Sequence, residues 1–104
     1  MQGSYTIRLS ATFAKNLEPI FDHISKDSPA NAANVVRRIV DELENLKLFP
    51  HRTIVAGQPR DAKEPVRSLP IPPYVVYFRV SDTHKVVRVT RLLHGAQTPP
   101  RDLG

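Results

Sequence analysis

The sequence predicts a single α+β domain in which a helical hairpin packs on a largely antiparallel four-stranded sheet, with elements in the order β-α-α-β-β-β. Two patterns and one bound lead there. Between Phe13 and Leu46, apolar residues recur at intervals of three and four, interrupted once at Ser28-Pro29. From Val66 to His94 the pattern changes to runs rich in valine, tyrosine and phenylalanine, broken by Pro72-Pro73 and by the polar stretch Ser81 to His84. A length of 104 residues with 40% hydrophobic content allows one two-layer core over residues 1–104 and no second domain.

Each element follows from its residues. Tyr5 to Leu9 alternates and contains β-formers, so it reads as a first strand. Ser10 and Thr12 are possible caps for a helix whose stripe is Phe13, Leu17, Ile20, Phe21 and Ile24. Pro19 lies inside that helix and cannot donate to the Lys15 carbonyl, so a kink or a late start is expected. Ser28 and Pro29 suit the cap and first turn of a second helix, with a stripe of Ala32, Val36, Ile39, Leu43 and Leu46 widened by Val40 and an end near Phe49-Pro50. Arg37, Arg38, Asp41, Glu42 and Glu44 fall on its solvated side. His51 to Pro65 has no clear period and reads as a long functional or mobile loop.

Three strands should follow, at Val66–Ile71, Tyr74–Val80 and Lys85–His94. In the middle one Tyr74, Val76, Phe78 and Val80 share the expected core face, leaving Val75, Tyr77 and Arg79 on the other. The last strand breaks its alternation, because Val87 and Val89 share parity with Arg91 while Leu92 and Leu93 are consecutive. A bulge near Arg91, or burial of both faces, would reconcile this. The tail from Gln97 to Gly104 has no pattern and is expected to fray or to await a partner.

Composition excludes several function classes. Cysteine is absent, so neither a disulfide framework nor a thiolate metal site is expected. His23, His51, His84 and His94 show no zinc-type spacing, and no metal or cofactor is expected. No run reaches the roughly 18 to 20 apolar residues of a membrane span, and Met1 to Phe13 lacks a signal-peptide core, so a cytoplasmic protein without a membrane partner is expected. The net charge of +5 is unevenly placed: residues 1–50 carry six Lys/Arg against six Asp/Glu, and residues 51–104 carry nine against four. A basic second half suits nucleic acid, an acidic protein segment, or simply a solvated face.

No catalytic signature is present: no phosphate-gripping glycine loop, no metal-binding histidine pair and no nucleophile elbow. The notable constellation is Arg67, Arg79, Arg88 and Arg91 over three strands, with Tyr77 among them. Such arginines could grip phosphates or carboxylates and the tyrosine could stack on a base, or the arginines could guard strand edges against aggregation.

The segment Pro73 to Val80, a polar turn, and then Val87 to Gln97 resemble the C-terminal pattern of the ParE/RelE superfamily of toxins, in the ParE-like or plasmid-stabilisation form. Asp27-Ser28-Pro29, the helix ending at Leu48-Phe49-Pro50, and the Arg-x-Leu of Arg67 and Leu69 fit the same order. The resemblance implies a toxin neutralised by a co-expressed antitoxin. ParE-type members poison DNA gyrase, whereas RelE-type relatives cut messenger RNA on the ribosome, and the shared fold does not decide between them.

Particular residues favour the gyrase reading. Where the RNA-cutting subfamily places a basic residue after the tyrosine that opens the middle strand, this chain has Val75. Two places after the glycine of the final motif it has Gln97, and no Phe, Trp or Tyr follows Phe78. His94 could be an acid-base group or a strand-end histidine. The expected binding residues for antitoxin or target are therefore Arg67, Tyr77, Arg79, Arg88, Arg91 and His94, with none assigned to catalysis. A ribosome-dependent endoribonuclease and a non-toxic binding relic stay as alternatives.

Overall fold

The computed structural model describes residues 4–57 and 64–95. A strand β1 (Thr6–Leu9) is followed by helices α1 (Ala11–Asp27) and α2 (Pro29–Leu46), then by a 3-10 turn at Pro50–Arg52. Four more strands complete the chain: β2 (Ile54–Gly57), β3 (Val66–Ile71), β4 (Tyr74–Ser81) and β5 (Val86–His94). In space their order is β1-β5-β4-β3-β2. β1 runs parallel to β5 and every other pairing is antiparallel.

The predicted order and the hairpin on the sheet are as observed, with one strand more than expected. β2 arises inside the stretch read as an unpatterned loop. Four residues are too few to display a period, and what makes them a strand is the open edge of β3, where Ile54 pairs with Ser68 and Val55 with Arg67. Residues 58–63 and the tail from Ala96, including Gln97, lie outside the described residues.

Local chemistry sets the helix ends. The Ser10 hydroxyl accepts from the Phe13 amide at 3.0 Å and starts α1 there, so the late start at Pro19 is not observed. Ser28 closes α1, its amide donating to the Ile24 carbonyl, and opens α2, its hydroxyl accepting from the Asn31 amide at 3.2 Å. One residue thus serves as both caps, which forces a tight hairpin. α2 ends at Leu46, earlier than Phe49, because the amides of Lys47 and Leu48 tighten onto carbonyls three residues back.

The core lies between the hairpin and one sheet face. Phe13, Ile39, Leu43 and Leu46 meet Val76, Phe78, Val80, Val87, Val89 and Leu92 there. Leu17, Ile20 and Ile24 pack against this cluster as expected, but Phe21 is 41% exposed and Val40 is 48% exposed. On α2 it is Val35, not Val36, that packs on the core. The apolar stripes are wider than the sheet surface two side-by-side helices can cover, so their margins stay in solvent.

A bulge controls which side chains of β5 reach this core. Tyr77 pairs with Arg91 and Phe78 with Val89, leaving Thr90 as the extra residue. Val87, Val89 and Leu92 can then all face the helices, while Arg88 and Arg91 both face away. Beyond Leu9 the open edge of β5 is taken over by the start of α1. Ser10 donates its amide to the Val89 carbonyl at 3.0 Å and its hydroxyl to the Thr90 carbonyl at 2.9 Å. The Leu92 amide donates to Asn16 Oδ1 at 3.1 Å.

At the far end of β5, the Gly95 amide donates to the Pro73 carbonyl at 2.7 Å. A Cβ at Gly95 would stand 3.2 Å from that oxygen, so the close approach favours glycine.

Candidate functional site

Pairing and alternation assign the residues of β1, β3, β4 and β5 to a face. On the face turned away from the helices, Arg8 of β1 stands beside Arg88 of β5, which stands opposite Arg79 of β4. Three arginines therefore stand abreast in register on three adjacent strands. The next row holds Arg91, Tyr77 and Ser68, and the row after it Leu93, Val75 and Pro70. The face is graded, from basic at one end to apolar at the other.

The electrostatics of this face are under-compensated. Like charges directly opposite one another in a sheet repel. Among the described residues Arg88 has one ion pair, with Glu64 at 3.6 Å. The Nε atoms of Arg79 and Arg91 are buried and have no hydrogen-bond partner among the described residues. Such a surface is suited to an incoming anion that can accept several donors at once.

The six residues singled out in the sequence separate into two groups. Tyr77, Arg79, Arg88 and Arg91 come together on this face. Tyr77, however, is only 8% exposed, so its ring is not open for stacking on a base. Arg67 lies on the opposite face, next to Phe78 in register, and its Nη1 donates to the Thr53 carbonyl at 2.8 Å and the His51 carbonyl at 3.5 Å. It clips the 3-10 turn to the sheet. His94 also lies on the helix side, edge-on to Tyr74 with ring centroids 5.8 Å apart.

Arg8 was missed by sequence reasoning. Its alternation with Ile7 was visible, but not the neighbour of β1, which is β5, 80 residues further along the chain.

A second polar cluster closes the sheet at the β4–β5 turn, the same end as the arginine row. Asp82 Oδ1 accepts from the Tyr5 hydroxyl at 2.5 Å and contacts His51 Nε2 at 2.8 Å. The Lys85 ammonium stands 4.9 Å above the Tyr5 ring. The hydrogen bond from Tyr5, then that from His51, holds the Asp82 carboxyl below its ordinary value, and the same bond raises the Tyr5 phenol. The cluster ties β1, the 3-10 turn and the β4–β5 turn together. Beside it lies an open cavity of about 290 Å³ lined by His51, Glu64, Arg67 and Asp82.

Among the described residues, no group of histidines and carboxylates is arranged to hold a metal ion, and no helix is long and apolar enough to cross a membrane. No histidine or carboxylate is paired in register with Arg79, Arg88 or Arg91.

Several solved structures share this fold. A chain of a chromosomal ParDE toxin-antitoxin system from P. aeruginosa superposes with a TM-score of 0.66 at 23% identity, covering 88% of this chain and 96% of that one. A chain of the toxin-antitoxin complex RelBE2 from Mycobacterium tuberculosis gives 0.57 at 25% identity, covering 88% and 98%. One from the archaeal RelE-RelB complex of Pyrococcus horikoshii gives 0.64 at 16% identity, covering 91% and 99%. No curated protein sequence matches the chain. Residues 7–99 match the family model described as the ParE toxin of the type II toxin-antitoxin system, parDE. With nearly its whole length matched, the chain belongs to the ParE toxin family.

Proposed function

We propose that this toxin acts by binding a protein target, DNA gyrase, rather than by cutting RNA, and that a cognate antitoxin neutralises it. The observation that carries this reading is the row of Leu93, Val75 and Pro70 beside the arginines. An apolar strip next to a basic one suits a protein surface, in which desolvated anchors and charge act together.

Cleavage of a phosphodiester needs a proton donor or acceptor within reach of the charge-stabilising groups. Among the described residues, Glu64 is the carboxylate beside Arg88 and is held there as its counter-ion, His94 stands on the opposite face, and Tyr77 is buried. The basic residue that RNA-cutting relatives carry after the strand-opening tyrosine is Val75 here. Loss of one preorganised charge contact lowers a rate by about two to three orders of magnitude. Arg79, Arg88 and Arg91 would then serve recognition without entering a chemical step.

Purified protein should be added to translating ribosomes and, separately, to a gyrase supercoiling reaction. Inhibited supercoiling with intact message is the expected result. Codon-linked cuts in ribosome-bound message with normal supercoiling would instead support a ribonuclease. Isothermal titration against the protein of the neighbouring gene tests neutralisation. Added salt should slow association more than it weakens the finished complex.

A further inference from the structure

We infer that the row Arg8, Arg88, Arg79 is a seat for an acidic helix of a partner protein, laid across the strands with carboxylates at i, i+3 or i+4, and i+7. The inference rests on the reading that this face binds protein, and it adds the shape of the occupant and one residue, Arg8, to that surface.

Spacing selects the helix. Adjacent strands are about 4.8 Å apart, so three arginines abreast on β1, β5 and β4 span about 9.6 Å. Carboxylates at i and i+7 of a helix are separated by about 10.5 Å along its axis, with a third between them on the same side. An extended segment presenting three same-face residues spans about 13 Å and falls out of step.

Chemistry selects carboxylates. The chain's own Glu64 already rests 3.6 Å from Arg88 Nη1, a long contact that a better-placed carboxylate would displace. Single-stranded nucleic acid would need an open aromatic platform, and the one aromatic residue of this face, Tyr77, is buried.

The test uses an alanine-based helical peptide with glutamates at i, i+4 and i+7, titrated by fluorescence anisotropy into the full chain. A second peptide of equal composition has its glutamates scattered around the helix. Arg8→Gln, Arg79→Gln and Arg88→Gln should each weaken the matched peptide about tenfold, the loss of one charge-assisted contact. Glu64→Gln should tighten it, and Arg37→Gln on the outer side of α2 should leave it unchanged. Equal affinity for the scattered peptide, an unaltered affinity in Arg8→Gln, tighter binding of a single-stranded RNA of equal charge, or no binding at all would each overturn the inference. Supercoiling inhibition that survives such a failure would leave the protein-target reading standing, so the two fail separately.

Discussion

Phe78 and Arg79 are consecutive in β4, yet Phe78 is 0% exposed beneath the helices while Arg79 stands on the far face opposite Arg88. The helix-facing side is apolar through its centre, where alternation and the Thr90 bulge deliver Val76, Phe78, Val80, Val87, Val89 and Leu92, with Arg67 and His94 at its margins. The far side is graded, with arginines repelling one another at one end and Leu93, Val75 and Pro70 at the other. One face is satisfied by the fold itself. The other holds charge that the described residues only partly neutralise.

Truncation separates the two faces most strongly. Phe78→Ala should destabilise the domain by about 3 to 5 kcal/mol, as for a buried aromatic, whereas Arg88→Ala, at a half-exposed position of the far face, should stay within about 0.5 kcal/mol. Urea midpoints measure both. Equal losses would show that the far face is also core.

The next test falls where α1 takes over the edge of β5. Asn16→Leu removes the acceptor for the part-buried Leu92 amide and should cost about 1 to 3 kcal/mol. Hydrogen exchange at Leu92 should accelerate with it; an unchanged rate would mean that another group holds that amide. A smaller loss, about 1 kcal/mol, is expected for Gly95→Ala, because its new Cβ meets the Pro73 carbonyl at 3.2 Å. A thermal melt equal to wild type would show that the Pro72-Pro73 turn gives way freely.

The smallest effect belongs to the exposed clasp at Asp82. Its folded-state pKa is lowered, first by the hydrogen bond from Tyr5, so its contribution is present above the unfolded value of about 4 and is lost as pH falls through the folded value. Tyr5 is raised, so its share is present below about pH 10 and is lost above the folded value. The stability difference between wild type and Asp82→Asn should therefore be largest at neutral pH and shrink towards both acid and alkali. A difference that does not vary with pH would exclude the clasp as its source.

Much of the architecture was legible because its signals are local. The caps at Ser10 and Ser28, the two helical stripes, the core face of β4 and the irregularity near Arg91 are all written within a few residues of where they act. The candidate site was legible only in part. Tyr77, Arg79, Arg88 and Arg91 do share a face, but Arg67 belongs to the other, where it anchors the 3-10 turn, and His94 stands against Tyr74.

By itself, then, the sequence determined the order of elements, their periodic faces and the excess of basic residues in the second half. Tertiary structure decided that β1 lies parallel beside β5, that four residues after the 3-10 turn form a strand on the edge of β3, and that Arg8 completes a row begun 80 residues later. The reason is physical. A period of two or 3.6 is a property of one segment, whereas strand neighbours and register are chosen by contacts between segments far apart in the chain.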